Sequence, residues 1–426
     1  MKRIIAAFIT LSFLFTLSPV SWAANETGAG TEYDNVEDTT EKPLVVVGGT
    51  TSSFSDITDN EFRIKAEILD VLGIMHGFDD GTFRPDSVMS KGEALPIIAA
   101  MLKLDVSSYA NVGLGYFYDV KKDDPLFPTV QALVAKGILK GNSDNTVNVD
   151  EKLSHTDLIV FLVRAMGLEP YAEVNGGYPT GYFFAAQQSG INLSNTRTYI
   201  TREIFVNYVY AAMRAKLTSI HSVGSKNVYV TEKNNTLFSK YHDVYENEGV
   251  VIANQISAIY GNPTSQGSIN IDGEIYYLDK RITASFLGYR VKFFYTLIDG
   301  IQTVIYMTKH KSVNEILISP DDYIGYYPAE RTISYYDMKG SRTKTAKLSD
   351  DFKVLVNGKA AAPQSLDEAM RINEGSLLLI SNNGESIFST VFINKYENIL
   401  LQRASKEGNF GIAITPQYSL MPITFS

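Results

Sequence analysis

The chain of 426 residues contains no cysteine. Disulfide staples and thiolate metal sites are excluded, so any fold must rest on apolar packing. The single tryptophan is Trp22, and the five histidines (His76, His155, His221, His242 and His310) show no pairing at metal-ligand spacing. Positive charge is short as well: 38 Lys and Arg face 47 Asp and Glu, a formal net charge of −9. Such a chain has nothing to neutralise phosphates over a broad face, which argues against nucleic acid as a partner. After Leu17 no run is long and apolar enough to span a bilayer. Reaction motifs are missing too, with no G-x-S-x-G, phosphate loop or Ser/His/Asp arrangement. Asp79-Asp80-Gly81-Thr82 lacks the further ligands of a calcium loop and reads as a tight turn. The adjacent carboxylates Asp321 and Asp322 would point to opposite faces and cannot flank one glycosidic bond. No catalytic residue, metal or cofactor is assigned, and the chain reads as a non-enzyme.

What is present is ordinary globular material, 45% apolar and 20% charged, long enough for two to four domains. Lys2 and Arg3 precede an apolar stretch from Ile4 to Leu17, and Ser21-Trp22-Ala23 has the small-x-small form of a cleavage site. Residues 1–23 are expected to be a signal peptide, so the mature protein is exported and loses two positive charges, going from −9 to −11. Residues 24–53, acidic and rich in Gly, Thr and Ser, are expected to be a linker.

From Phe54 to Leu217 three related units are expected, at about 54–105, 116–168 and 171–217. Their opening signatures are Phe54-Ser55-Asp56-Ile57, Phe117-Tyr118-Asp119-Val120 and Tyr171-Ala172-Glu173-Val174. Each is followed by a helix ending in Gly-Ile, at Gly73, Gly137 and Gly190. The interval from the acid to this glycine is the same in the first and third units and one position longer in the second. A hydroxyl that caps a second helix comes next, at Ser90, Ser154 and Thr201. Gly73 to Ser90 and Gly137 to Ser154 are equal intervals, while Gly190 to Thr201 is shorter, so the third unit has lost part of its turn. Ser90 to Glu93 reads as a capping box ahead of Ala94, Leu95, Ile98 and Leu102. Stripes such as Leu158, Phe161, Leu162 and Ala165 bury one helix face, so the three units should pack together.

After Leu217 the pattern turns to β. Asp272-Gly273, Asp299-Gly300, Asn357-Gly358 and Asn383-Gly384 each lie between alternating segments and predict hairpins. The offset from Asp272-Gly273 to Asn357-Gly358 nearly equals those from Gly288 to Gly375 and from Thr303 to Thr390. These matched offsets predict a duplicated module with a short helix (ITASFL, then SLDEAMRI) in each copy. The expected architecture is multi-domain. An N-terminal all-α bundle of three pseudo-threefold repeats precedes β-rich modules, built as small antiparallel sheets or barrels with short helices. A connector is expected at 218–240, β modules at 241–318 and 319–402, and a poorly patterned tail at 403–426.

The segments FSDI at 54–57, LGIMHGFDDGTFRP at 72–85 and SKGEA at 90–94 resemble the S-layer homology (SLH) family. The resemblance covers the stretch from Phe54 to Leu217, weakening from the first unit to the third. It implies a pseudo-threefold helical bundle that binds secondary cell-wall polysaccharide, often through a pyruvyl-ketal sugar held in grooves between repeats. The family's I-T-R-A-E stands here as Ser90-Lys91-Gly92-Glu93, Ser154-His155 and Thr201-Arg202. The resemblance therefore implies binding roles for Ser90, Lys91, Glu93, Ser154, His155, Thr201 and Arg202. A helix N-terminus with a basic first residue suits an anion physically, and Arg adds bidentate geometry.

The expected function is a non-catalytic cell-wall or S-layer protein, anchored through these repeats with its β modules as spacer or lattice. Its expected partners are secondary cell-wall polysaccharide and other surface-layer proteins. The alternative is an SLH-anchored enzyme or carbohydrate-binding adhesin whose active part is the β region or a further C-terminal segment. The tyrosine pairs after Leu217 are explained by β packing or by a sugar-binding surface.

Overall fold

The computed structural model describes residues 54–424 apart from 114, 196, 224–225, 283–285, 338–341, 362–374, 396–399, 405–409 and 415–419. The expected signal peptide, the linker and the SLDEAMRI helix lie outside the described residues. No described helix is long and apolar enough to cross a membrane.

Among the described residues, seven α-helices occupy the N-terminal part: α1 (Asn60–Val71), α2 (Lys91–Met101), α3 (Phe127–Ala135), α4 (His155–Ala165), α5 (Glu169–Val174), α6 (Thr180–Gln188) and α7 (Arg202–Arg214). α1 starts because Asp59 accepts from the Phe62 amide at 2.6 Å, and it buries Phe62, Ala66, Ile68 and Leu69. It stops where Gly73 takes a left-handed φ of 67°. α2 carries the full capping box, and it runs on through Pro96, which faces solvent.

The opening signature works as a clamp. Asp56 accepts from the amides of Phe83 (2.8 Å) and Arg84 (2.7 Å), and Asp119 does the same for Val147 (3.0 Å) and Asn148 (2.7 Å). In the first two units the aromatic ring of the signature lies on a glycine that tolerates no side chain. A Cβ on Gly77 would strike Phe54, and one on Gly141, at φ 70°, would strike Phe117.

The hydroxyl-capped helices meet at an axis made of backbone. Met89 donates to the Ile200 carbonyl (2.9 Å), Ile200 to Leu153 (3.1 Å) and Leu153 back to Met89 (2.8 Å), closing a three-membered ring of hydrogen bonds. All three side chains are buried, and single β-bridges (Val88 with Thr201, Ser90 with Lys152, Ser154 with Tyr199) flank the ring.

The chain then forms the hairpin β1 (Lys216–Val223)–β2 (Lys226–Thr236) and a short helix α8 (Leu237–His242), over the stretch expected as a connector. Strands β3 (Val244–Asn254), β4 (Ser268–Ile271), β5 (Glu274–Leu278), β6 (Arg290–Ile298) and β7 (Ile301–Lys309) close a barrel in the order β3-β4-β5-β7-β6. Asp272-Gly273 and Asp299-Gly300 form its tight turns, all four residues at positive φ. Next come β8 (Asn314–Ile318), β9 (Tyr323–Tyr327), β10 (Thr332–Tyr336), β11 (Thr343–Val356), β12 (Lys359–Ala361), β13 (Gly375–Ser381) and β14 (Ile387–Lys395). They make a seven-stranded sheet, β8-β13-β14-β11-β10-β9 with β12 on β11. β15 (Leu400–Ala404), β16 (Phe410–Ile414) and β17 (Leu420–Thr424) form a three-stranded sheet where a poorly patterned tail was expected.

This corrects the expected fold class in four respects. The described residues are β-rich rather than organised around an all-α bundle, with more residues in strands than in helices. The N-terminal part is itself not all-α, because its axis is the ring of paired extended residues. Nor are there three equivalent repeats. Tyr171-Ala172-Glu173-Val174 lies inside α5, which Pro170 starts, and Glu173 accepts from the Tyr182 hydroxyl (2.9 Å) instead of clamping a turn. Finally, the β modules are not purely antiparallel, since β5/β7 and β11/β14 pair in parallel. The first copy of the expected duplication closes on itself while the second stays an open sheet.

Helices and barrel share one core. Phe238, Val244, Phe294, Ile305 and Tyr306 belong to the same buried cluster as the helical side chains. At this junction the Tyr306 hydroxyl donates to Glu67 on α1 (2.8 Å), a residue only 4% exposed. Burial pushes Glu67 up to about 7, against the opposing effects of the Tyr306 hydrogen bond and Arg63.

Candidate functional site: the grooves between units

Each second helix sets its first turn against the turn of another unit, and the three lines of contact between units around the axis are the grooves compared next. The resemblance-implied residues fall one set to each groove, and the surroundings differ.

In the groove between the first and second units, the Lys91 ammonium lies 3.0 Å from Glu151 and 3.6 Å from Asp157, with only 11% of its side chain exposed. Ser90 and Glu93 cap one another: the Glu93 amide donates to Ser90 Oγ (3.1 Å) and the Ser90 amide to Glu93 Oε2 (2.7 Å). The amides of Lys91 and Gly92 donate to the carbonyls of Glu151 (2.8 Å) and Val149 (2.7 Å). The helix terminus and its cation are thus engaged by the protein.

In the groove between the second and third units, Ser154 accepts from the Asp157 amide (3.1 Å), and His155 Nε2 is 2.7 Å from the Arg197 carbonyl. The His155 ring lies edge-on to Tyr208, with centroids 6.0 Å apart. Lys152 sits over the Tyr199 ring at 4.7 Å.

The groove between the third and first units is different. Thr201 caps α7, accepting from the Ile204 amide at 3.4 Å. The amides of Arg202 and Glu203 donate to Ser87 and Pro85, both at 2.9 Å, so here too the backbone donors are engaged. The Arg202 guanidinium donates to the carbonyls of Phe83 (2.7 Å) and His76 (2.6 Å). It stacks 4.6 Å from the Phe83 ring and 4.8 Å from the Phe78 ring. A second guanidinium, Arg84, lies 3.8 Å over Phe78, which is 38% exposed. Arg84 is held by Asp80 at 2.8 Å, whose own carboxyl is drawn down to about 2 by hydrogen bonds from Thr82 and Arg84. Burial and the neighbouring Arg84 charge pull Arg202 downward, while Glu93 and Asp56 oppose this. Two guanidiniums lie over the partly exposed ring of Phe78, and this gathers charge-assisted donors beside an aromatic side chain, the combination a charged sugar needs.

The structure therefore separates the sequence-implied residues into three grooves. It also turns the first amides of α2 and α7, expected to face an anion, onto carbonyls of the opposing unit. Phe78 and Arg84 were missed from sequence. The available signal was their position in LGIMHGFDDGTFRP, read there only as turn and extended segment. Among the described residues no group of three or more His, Cys, Asp or Glu could hold a metal.

Residues 72–95 and 116–158 match the family profile of the S-layer homology domain. The chain is 22% identical over 245 residues to a "Surface layer protein" of Brevibacillus choshinensis, covering 57% of this chain and 19% of that protein. It is 21% identical over 243 residues to a "Middle cell wall protein" of Brevibacillus brevis, covering 57% and 21%. An "Amylopullulanase" of Thermoanaerobacterium thermosulfurigenes is 26% identical over 129 residues, 30% of this chain and 7% of that protein. The chain thus spans about a fifth of the length of the first two curated relatives. It is an SLH-domain protein of the cell surface, secreted and associated with the cell wall.

Proposed function

We propose that this SLH-domain protein is a non-catalytic wall component held on secondary cell-wall polysaccharide, chiefly by the groove between its third and first units. The carrying observation is the pair of guanidiniums, Arg84 and Arg202, over the ring of Phe78. An acidic sugar such as a pyruvyl ketal would place its carboxylate against these cations and a sugar face against the ring. The β-barrel and the seven-stranded sheet then act as spacer or lattice material, with other surface-layer proteins as neighbours.

The test is retention of the mature protein on purified cell walls, with and without their polysaccharide. Arg84→Gln with Arg202→Gln is expected to lower retention at least tenfold, about 1.4 kcal/mol. Circular dichroism of the same variant checks that the fold persists. Undiminished retention would refute the site. A second reading, an anchor for a carbohydrate-acting enzyme, is favoured by the amylopullulanase match over 30% of the chain. A reading frame continuing past Ser426 into a catalytic module would support it.

A further inference from the structure

Glu67 is an ionisable side chain buried where the helices meet the barrel, and the pattern of the units does not call for one there. The same place ahead of the helix-ending glycine is held by Glu67 before Gly73, Gln131 before Gly137 and Phe184 before Gly190. A titratable group therefore stands only in α1, which packs against β7. A buried carboxyl is costly unless it is neutral or well paired, so its presence at this one junction needs a reason.

The surroundings do little to hold a negative charge. On α1 itself, Arg63 donates through Nη2 to the Ile57 carbonyl (2.7 Å), and Asp70 adds a like charge. β7 presents only the neutral Tyr306 hydroxyl, at 2.8 Å. Tyr306 is buried too, in a row of rings that runs through Phe294 and Phe238 to Tyr210 on α7, with centroids 5.9–6.1 Å apart. Tyr210 accepts from Lys292 on β6 (3.1 Å), and Glu246 on β3 engages both Lys292 (2.9 Å) and Arg214 of α7 (2.6 Å). No cation pairs with Glu67 among the described ion pairs. Burial raises its carboxyl to about 7, so both of its charge states are reached in an ordinary pH range. Two histidines nearby act in the opposite sense. His242 on α8 bonds the Met101 carbonyl (3.1 Å), and His310 follows β7. Burial lowers both below the ordinary 6.5, so what they contribute is lost as pH falls, not as it rises.

We infer that Glu67 and Tyr306 form a proton-operated latch between the helices and the barrel, closed while Glu67 is protonated and opening locally when it ionises. A neutral carboxyl accepts from Tyr306 and is cheap to bury, whereas a carboxylate there meets its desolvation cost with one neutral donor. β7 keeps its pairing with β5 and β6 in either state, so the opening is confined to the junction. The latch uses no residue of the groove between the third and first units, so it stands or falls separately from the proposed anchoring site. Hydrogen exchange read by mass spectrometry on the full mature chain, at pH 5.5 and 8.5, tests it. Peptides of β13 and β14 in the seven-stranded sheet are the internal reference, which cancels the intrinsic effect of pH on amide exchange. Relative to them, peptides of α1 and β7 are expected to exchange at least tenfold faster at pH 8.5 than at pH 5.5. Glu67→Gln keeps an acceptor for Tyr306 and cannot ionise, so in it this relative change should vanish. An unchanged ratio in the wild type would overturn the inference whether or not the variant folds. The same rise in Glu67→Gln as in the wild type would overturn it too.

Discussion

Lys91 and Arg202 occupy the same position, the first residue after a hydroxyl cap, yet they do different things. Lys91 is neutralised by Glu151 and Asp157 across its groove. Arg202 meets backbone carbonyls and two aromatic rings, with a second guanidinium close by. A carboxylate approaching Lys91 would have to displace two protein carboxylates, whereas none is paired with Arg202 among the described ion pairs. What the cap position contributes is thus set by the turn of the opposing unit and not by the capped helix itself.

The comparison predicts that binding and stability respond to pH differently, and this is the largest expected effect. The guanidiniums do not titrate in the physiological range, so wall retention should stay flat from pH 5 to 7.5. Glu67 does titrate there. Its folded value, about 7, lies above the ordinary 4.5, so the folded state holds the proton more tightly. Its contribution to stability is complete below pH 4.5 and is lost as pH rises through 7, on the order of 3 kcal/mol. Denaturant melts across this range should show the fall, and Glu67→Gln should flatten it while keeping the bond from Tyr306. A wild-type stability that rises over pH 5–7, unaffected by the substitution, would contradict the burial of Glu67 at the junction.

Much of the local structure was legible because it is carried by short-range chemistry. Asp56 and Asp119 sit at the start of a signature and clamp the turn that leads into the second helix, at a spacing the first two units share. Ser90, Ser154 and Thr201 cap helices for reasons visible in four-residue windows. The axial ring was not legible, since Met89, Leu153 and Ile200 pair through backbone groups that have no side-chain signature. The third unit misled by composition: Tyr171 to Val174 matches the pattern of aromatic, small, acidic and aliphatic residues, but Pro170 at a helix start decides its conformation. The fate of Lys91 was hidden for a similar reason. Glu151 is far away in sequence, and its role depends on how two units dock.

The next effect concerns that lysine. Lys91→Met keeps the stem and removes the charge, leaving Glu151 and Asp157 facing each other without a cation. Both carboxylates are partly exposed, at 58% and 33%, so the penalty is below that of a fully buried pair. A loss of about 1–2 kcal/mol is expected in thermal or denaturant melts. Wall retention should stay within twofold of wild type. A tenfold loss of retention at unchanged stability would mean that the first groove, and not the third, carries the polysaccharide.

The smallest effect isolates Arg84 from Arg202. Arg202 holds the carbonyls of Phe83 and His76, so replacing it alone disturbs the groove wall as well as its charge. Arg84 is half-exposed, and its ion-pair partner Asp80 is exposed too, so Arg84→Gln should leave the melting temperature within a degree or two. If Arg84 contributes one solvent-exposed, charge-assisted contact, retention should fall about three- to fivefold, or roughly 1 kcal/mol. The salt dependence of retention should also become shallower, because one of two cations over Phe78 is gone. Equal salt dependence in wild type and variant would show that Arg84 serves the turn through Asp80 and Thr82 alone. The groove would then rest on Arg202 and the aromatic face of Phe78.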